Sequence, residues 1–284
     1  MANWTTTLTN WTNDHEVIAS RIGNRTMFAR LGGLGLVLIG WQLLSLAFNP
    51  NQFPGLGLLA TNVYEVVSGS GRYDPIANYG ITIARILLGF GAAMTVGTTV
   101  GILMGTNKFL DEYLTTPVMI FMSFPALIWA FLGVLWFGLT TYLVPAFTIF
   151  MIVTPYVIVN VWEGAKDVDA ELVEMATTFD ASTAQVWQEV YLPHLRPYLL
   201  STARIAFSLS WKISLVAEIF GTTSGVGLIV DYYYQTFQAN MIIAWALPIM
   251  WLIFGAERLL RLYEQRLFEW RPATESETME EPGV

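Results

Sequence analysis

The chain has 284 residues, of which 54% are hydrophobic, 14% aromatic and only 13% charged. That charged share is about half of what a soluble domain carries. Mean hydropathy is +0.50, so a lipid bilayer is the first environment to consider. There are no cysteines and only two histidines, His15 and His194, which excludes disulfides, thiolate metal sites and cysteine nucleophiles and argues against a histidine-rich metal centre. A net charge of −8 argues against nucleic acid as a partner.

Residues 1–30 are too long and polar for a signal-peptide n-region, and no small-residue cleavage site follows. Trp4, Leu8, Trp11, His15, Ile18 and Ile22 recur at helical spacing, which predicts an interfacial helix in this N-terminal tail. Six apolar stretches then predict membrane spans: Leu31–Phe48, Ile81–Gly105, Thr116–Phe137, Tyr142–Trp162, Tyr198–Phe220 and Met241–Leu262. A crossing takes ~20 mainly apolar residues for ~30 Å of hydrocarbon. Glycines 89, 91, 97, 101 and 105 in the second stretch fit close helix packing.

The third and fourth stretches are separated only by Gly138–Thr141 and read as a helical hairpin. Arg21, Arg25 and Arg30, then Lys108, Lys166, Arg196, Arg258, Arg261, Arg266 and Arg271 all fall on one side of a six-span topology, with Arg72 opposite. The positive-inside rule then puts both termini in the cytoplasm. The expected organisation is an N-terminal tail (1–30), a transmembrane domain (31–271) and an acidic tail (272–284) carrying Glu275, Glu277, Glu280 and Glu281.

The segment 163–197 between the fourth and fifth stretches is too long for a simple connector. Asp169 is placed to cap a helix with the apolar stripe Leu172, Met175, Ala176 and Phe179. Ser182-Thr-Ala-Gln185 reads as a capping box that opens a second short helix, with Pro193 as its end. Two short amphipathic helices on the cytoplasmic face form a docking surface for a soluble partner. Seven acidic residues against one lysine disfavour adhesion to an anionic leaflet instead.

This segment, from Glu174-Met-Ala176 through Asp180, Ser182, Gln185 and Leu192-Pro193, resembles the EAA loop of permease subunits of binding-protein-dependent ABC importers. It departs from that pattern at Asp180, where the family has glycine. A glycine there suits a left-handed residue just past a helix. Aspartate tolerates that conformation better than most residues but worse than glycine. Phe124-Pro125-Ala-Leu-Ile-Trp129, Leu135-Trp-Phe-Gly138 and Val216-Ala-Glu218 through Gly227 resemble the nitrate, sulfonate, taurine and bicarbonate branch.

The resemblance implies an all-helical permease fold in which Glu174, Ala176, Asp180, Ser182, Gln185, Leu192 and Pro193 dock on ABC ATPase subunits. It also implies two ATPase subunits, a second copy of the chain and an extracytoplasmic solute-binding protein. The solute would be a small anion, moved by alternating access. The chain lacks a Gly-x-x-x-x-Gly-Lys-[Ser/Thr] loop, so ATP and magnesium belong to the ATPase subunit and no cofactor or catalytic site is expected here.

In the fifth stretch, Ser201, Arg204, Ser208 and Lys212 share one helix side. Lys212 lies ~21 Å into the span at 1.5 Å per residue. Ser208, Lys212 and Glu218 are the candidate translocation-path residues, and Arg85 is expected to snorkel. Gly221 through Gly227 reads as a flexible turn at the outer end. The rival readings are a same-fold permease for a vitamin precursor or an amino acid, an ion-coupled secondary transporter, and an intramembrane enzyme. The last two would need inverted repeats with mid-membrane carboxylates, or a nucleophile–base pair, and neither pattern is present.

Overall fold

A computed structural model describes residues 31–267. The two tails, with their expected interfacial helix and acidic run, lie outside the described residues. Among the described residues the structure is helical throughout, with no strand. The helices are α1 (Leu31–Ser45), α2 (Leu56–Ser68), α3 (Pro75–Thr106), α4 (Lys108–Met122), α5 (Ala126–Phe137), α6 (Leu143–Lys166), α7 (Ala170–Thr178), α8 (Thr183–Val186), α9 (Leu192–Gly221), α10 (Val226–Gln235) and α11 (Ala239–Leu267).

Four helices are long and apolar enough to cross a membrane: α3, α6, the run Thr183–Gly221 and α11. They match four of the six expected spans. The expected third span is not one rod. It is α4 and α5, bent by 92°. The break has a local cause, because Pro125 has no N–H to donate and its ring keeps Phe124 out of helical geometry. Ser123 ends α4 and Pro125 caps α5 in an extended conformation (φ −62°, ψ 137°). Counting that pair as one span gives up to five crossings, and α1 and α2 are apolar but shorter.

The centre is a parallel zipper of α3 on α6. Gly89, Ala93, Gly97, Gly101 and Gly105 recur every four residues on α3. Opposite them Ile149, Val153, Val157, Val161 and Ala165 recur every four on α6, all buried. A Cβ on Gly97 would stand 2.6 Å from Val157 Cβ, and one on Gly101 would stand 2.7 Å from the Ile158 carbonyl. The two backbones therefore touch along a small-residue ridge, the arrangement that lets van der Waals packing hold helices together without a hydrophobic drive. Gly91 has open space around it and plays no part in the zipper.

Helix α9 packs beside this pair, with Ala206 and Ile213 in the same core. A second core joins α2, α3, α10 and α11 through Val66, Tyr79, Ile229, Tyr233 and Trp245, and the Tyr79 hydroxyl donates to the Trp245 carbonyl at 2.8 Å. At the opposite end, Met104, Val118 and Ile158 tie α3, α4 and α6. That end also carries the 163–197 loop, and Lys166 meets Asp111 there at 2.6 Å.

Candidate functional site

The loop begins where Asp167 accepts a 2.7 Å hydrogen bond from the Tyr198 hydroxyl, tying the end of α6 to the start of α9. Gly164 allows this, since a Cβ there would sit 2.5 Å from the Tyr198 ring. The Asp169 carboxylate accepts from the Glu171 N–H at 2.9 Å and caps α7. No residue of α7 is buried. Its apolar stripe is largely uncovered, with Leu172 47%, Met175 54% and Phe179 80% exposed, and Leu172 and Met175 edge a cleft that Val190 and His194 close on the other side. Glu174 is exposed, and Ala176 is half-buried in a cleft of about 410 Å³ between α7 and the helix that follows.

Helix α7 ends at Asp180, which has φ 55°. The Asp180 N–H donates to the Thr177 carbonyl at 3.1 Å, and the Ala181 N–H donates to the Ala176 carbonyl at 3.0 Å. That bonding is the Schellman motif, with an aspartate where glycine is preferred. The capping box is also present: Ser182 accepts from the Gln185 N–H, and the Gln185 side chain accepts from the Ser182 N–H at 2.8 Å.

Pro193 does not end the second helix. Residues Trp187–Tyr191 form a π turn that runs straight into α9, and the Leu192 N–H donates to the Trp187 carbonyl five residues back. A proline inside an α-helix clashes with the carbonyl four residues before it. The widened turn displaces that carbonyl, so the chain continues through Pro193 without a break.

At the other end of the bundle Arg85 does not snorkel. Arg85 and Glu218 are both fully buried and meet at 2.7 Å. Arg85 also donates to the Ser224 carbonyl and hydroxyl, each at 2.9 Å, and to the Thr141 carbonyl. The second Glu218 oxygen accepts from the Thr82 hydroxyl at 3.0 Å and from the Gly227 N–H at 2.8 Å. Gly225 (φ 98°) and Gly227 leave room for the pair; a Cβ on Gly225 would stand 2.7 Å from a Glu218 oxygen. Gly225 N–H donates to Asn78 and Val226 N–H to Thr82, each at 3.0 Å. The 221–227 segment is therefore pinned at both its backbone and its centre, not a flexible turn. Every polar atom of the pair has a partner, which is what makes a buried ion pair tolerable.

Lys212 lies between these two sites. It is exposed on the open side of α9, with Ser208 one turn before it and half-buried. Among the described residues no group of three His, Asp or Glu side chains could hold a metal ion.

The family model for the inner membrane component of binding-protein-dependent transport systems matches residues 97–269, more than half of the chain. The chain belongs to this family. The permease is 26% identical over 91% of its length to a putative ABC transporter permease of Methanocaldococcus jannaschii, covering 98% of that protein. It is 31% identical over 69% of its length to the putative aliphatic sulfonates transport permease of Bacillus subtilis, covering 70% of that protein. The taurine transport system permease of Escherichia coli is 27% identical, with 87% of this chain and 91% of that one covered. A shorter match, 28% identical over 57% of this chain and 59% of the other, is to the bicarbonate transport system permease of Synechococcus elongatus.

Two solved structures share the fold. A chain of the inward-facing MetNI methionine ABC transporter superposes with a TM-score of 0.52 at 20% identity, covering 75% of this chain and 96% of that one. A chain of an amino acid ABC transporter gives 0.57 at 18% identity, covering 67% and 92%. The permease is thus a multi-pass membrane protein of the ABC transporter class.

The loop pattern sorts into two kinds of residue. Asp180 spends its backbone on the turn, and Ser182 and Gln185 spend side chains and backbone on the cap. Glu174, Leu192 and Pro193 are exposed, and Ala176 lines the cleft. The largest projecting side chain, Phe179, belongs to the predicted apolar stripe but not to the family pattern. The Arg85–Glu218 network was missed as a unit. A signal existed: Arg85 is the only arginine in the second stretch, and Glu218 is the only carboxylate in the fifth.

Proposed function

We propose that the permease is the membrane-spanning subunit of an ATP-driven importer. Two copies line one path, both termini and the 163–197 loop face the cytoplasm, and α7 with the following turn seats in a groove on an ATPase subunit. The observation that carries this reading is the stripe Leu172, Met175 and Phe179, built on a capped helix yet left about half or more exposed by the described residues. A stripe of that kind needs a partner to cover it. ATP and magnesium bind the ATPase subunit, and hydrolysis there moves the loop and tilts the spans in alternating access. An external solute-binding protein delivers the solute. The solutes for which the similar permeases are named (aliphatic sulfonates, taurine, bicarbonate) support a small oxyanion as that solute.

The test is purification of the tagged chain from native membranes in mild detergent, followed by mass spectrometry. An ATPase subunit is expected to accompany it and to be lost, with ATP-dependent uptake, on Glu174→Arg. A stable chain recovered with no ATPase would overturn the reading.

A further inference from the structure

We propose that Lys212 and Ser208 make the anion contact of the translocation path, a reading that rests on the importer function above. Lys212 stands about 13 Å from the Gly221 end of α9 and about 21 Å from Tyr198, at 1.5 Å per residue. It is exposed on the stripe formed by Ser201, Ile205, Ser208, Lys212, Val216 and Ile219. An unpaired ammonium at that depth does not face hydrocarbon; it faces a partner or water.

Among the described residues no carboxylate pairs with it. The ion pairs among the described residues are Arg85–Glu218, Lys166–Asp111 and His194–Asp167. Glu218 is the one carboxylate at depth in these helices, and it is enclosed and fully bonded. Asp111, Glu112 and Glu163 lie at the ends of their helices, Glu257 lies in the C-terminal half of α11, and Glu65 and Asp231 lie on the short α2 and α10. The described residues of a second copy hold the same inventory, again with Glu218 enclosed. What remains is a mobile anion in a hydrated path.

Ser208 completes the contact. Its hydroxyl makes no hydrogen bond with any described residue, whereas Ser201 donates to the Tyr198 carbonyl and Ser210 to the Ala206 carbonyl. Residues four apart on a helix are neighbours. An ammonium and an uncommitted hydroxyl one turn apart fit one oxyanion head, a sulfonate or a carboxylate. Glu218, grouped with them by sequence, is neutralised by Arg85 and does not repel that anion.

The chain contains no cysteine, so Ser208→Cys in the complete transporter carries its single thiol in this chain. Its reaction with anionic sulfonatoethyl methanethiosulfonate and cationic trimethylammonioethyl methanethiosulfonate is followed by mass spectrometry. The anionic-to-cationic rate ratio is expected to be about tenfold higher than in Ser208→Cys/Lys212→Met. Equal ratios, or no reaction with either reagent, would overturn the proposal. Uptake of labelled taurine, methanesulfonate and bicarbonate gives a second readout. For each probe the unaltered transporter carries, Lys212→Met should lower uptake about tenfold, while Lys212→Arg retains most of it. Undiminished uptake by Lys212→Met also overturns it. Failure of the importer reading shows separately, as absence of an ATPase subunit from the purified complex, and the thiol ratio then decides alone.

Discussion

Arg85 and Glu218, 133 positions apart, meet at 2.7 Å with neither side chain reaching the surface. Around them the parts of α3, α9 and α10 that lie away from the 163–197 loop, and the turn before α6, are joined by hydrogen bonds to one charge pair. Removing one partner leaves the other charge buried and uncompensated. Glu218→Leu alone is expected to destabilise the permease by about 3–5 kcal/mol, while Arg85→Met with Glu218→Leu recovers a large part of that loss. A double-mutant cycle on thermal unfolding in detergent measures the difference; two single losses that merely add would contradict it.

Asp180→Gly should stabilise the loop by about 0.5–1 kcal/mol, because the left-handed backbone there disfavours any Cβ. Asp180→Val should destabilise it, since a branched side chain tolerates φ 55° poorly. Melting temperatures of the two variants should move in opposite directions. A fall for Asp180→Gly would mean that the carboxylate makes a contact worth more than the strain.

Gly97→Leu is expected to disrupt the α3–α6 contact by at least about 1–3 kcal/mol, as the side chain has only the Val157 position to occupy. Gly91→Ala, with open space around it, should be neutral or stabilising by up to about 1 kcal/mol. Comparable losses from both variants would contradict the zipper.

Phe179→Ser alters a side chain that the described residues leave 80% exposed, so thermal stability should stay within about 0.5 kcal/mol. Recovery of the ATPase subunit should fall by about tenfold or more, the loss typical of an exposed aromatic anchor at an interface. Unchanged recovery would move the docking contact away from this stripe.

The elements governed by local rules were legible in the sequence. Apolar length gave four long helices, Asp169 and Ser182–Gln185 gave the caps of α7 and α8, and the family pattern around Asp180 gave a left-handed turn that φ 55° bears out. Where tertiary geometry decides, sequence reading failed. Pro125 and Pro193 look alike as helix breakers, yet one bends the chain by 92° and the other is absorbed by a π turn. The difference lies in which carbonyl the ring must avoid and whether a widened turn is packed to hold it. Arg85 resembled a snorkelling arginine because its partner is on another helix. The 221–227 glycines resembled a flexible loop because the groups they accommodate are distant in sequence.

The π turn at Trp187–Tyr191 also has a mechanical consequence. It leaves Thr183–Gly221 as one uninterrupted helix of 39 residues, about 58 Å long at 1.5 Å per residue. A connector that broke at Pro193 would have put a joint between the loop and the membrane, and the joint would have absorbed motion. If the run moves as one body through the π turn, Pro193 and Pro197, it acts as a lever. If it pivots at its Gly221 end, a tilt of about 5° carries the Thr183 end about 5 Å, roughly one helical turn. Lys212, nearer the pivot, moves only about 1 Å in the same stroke.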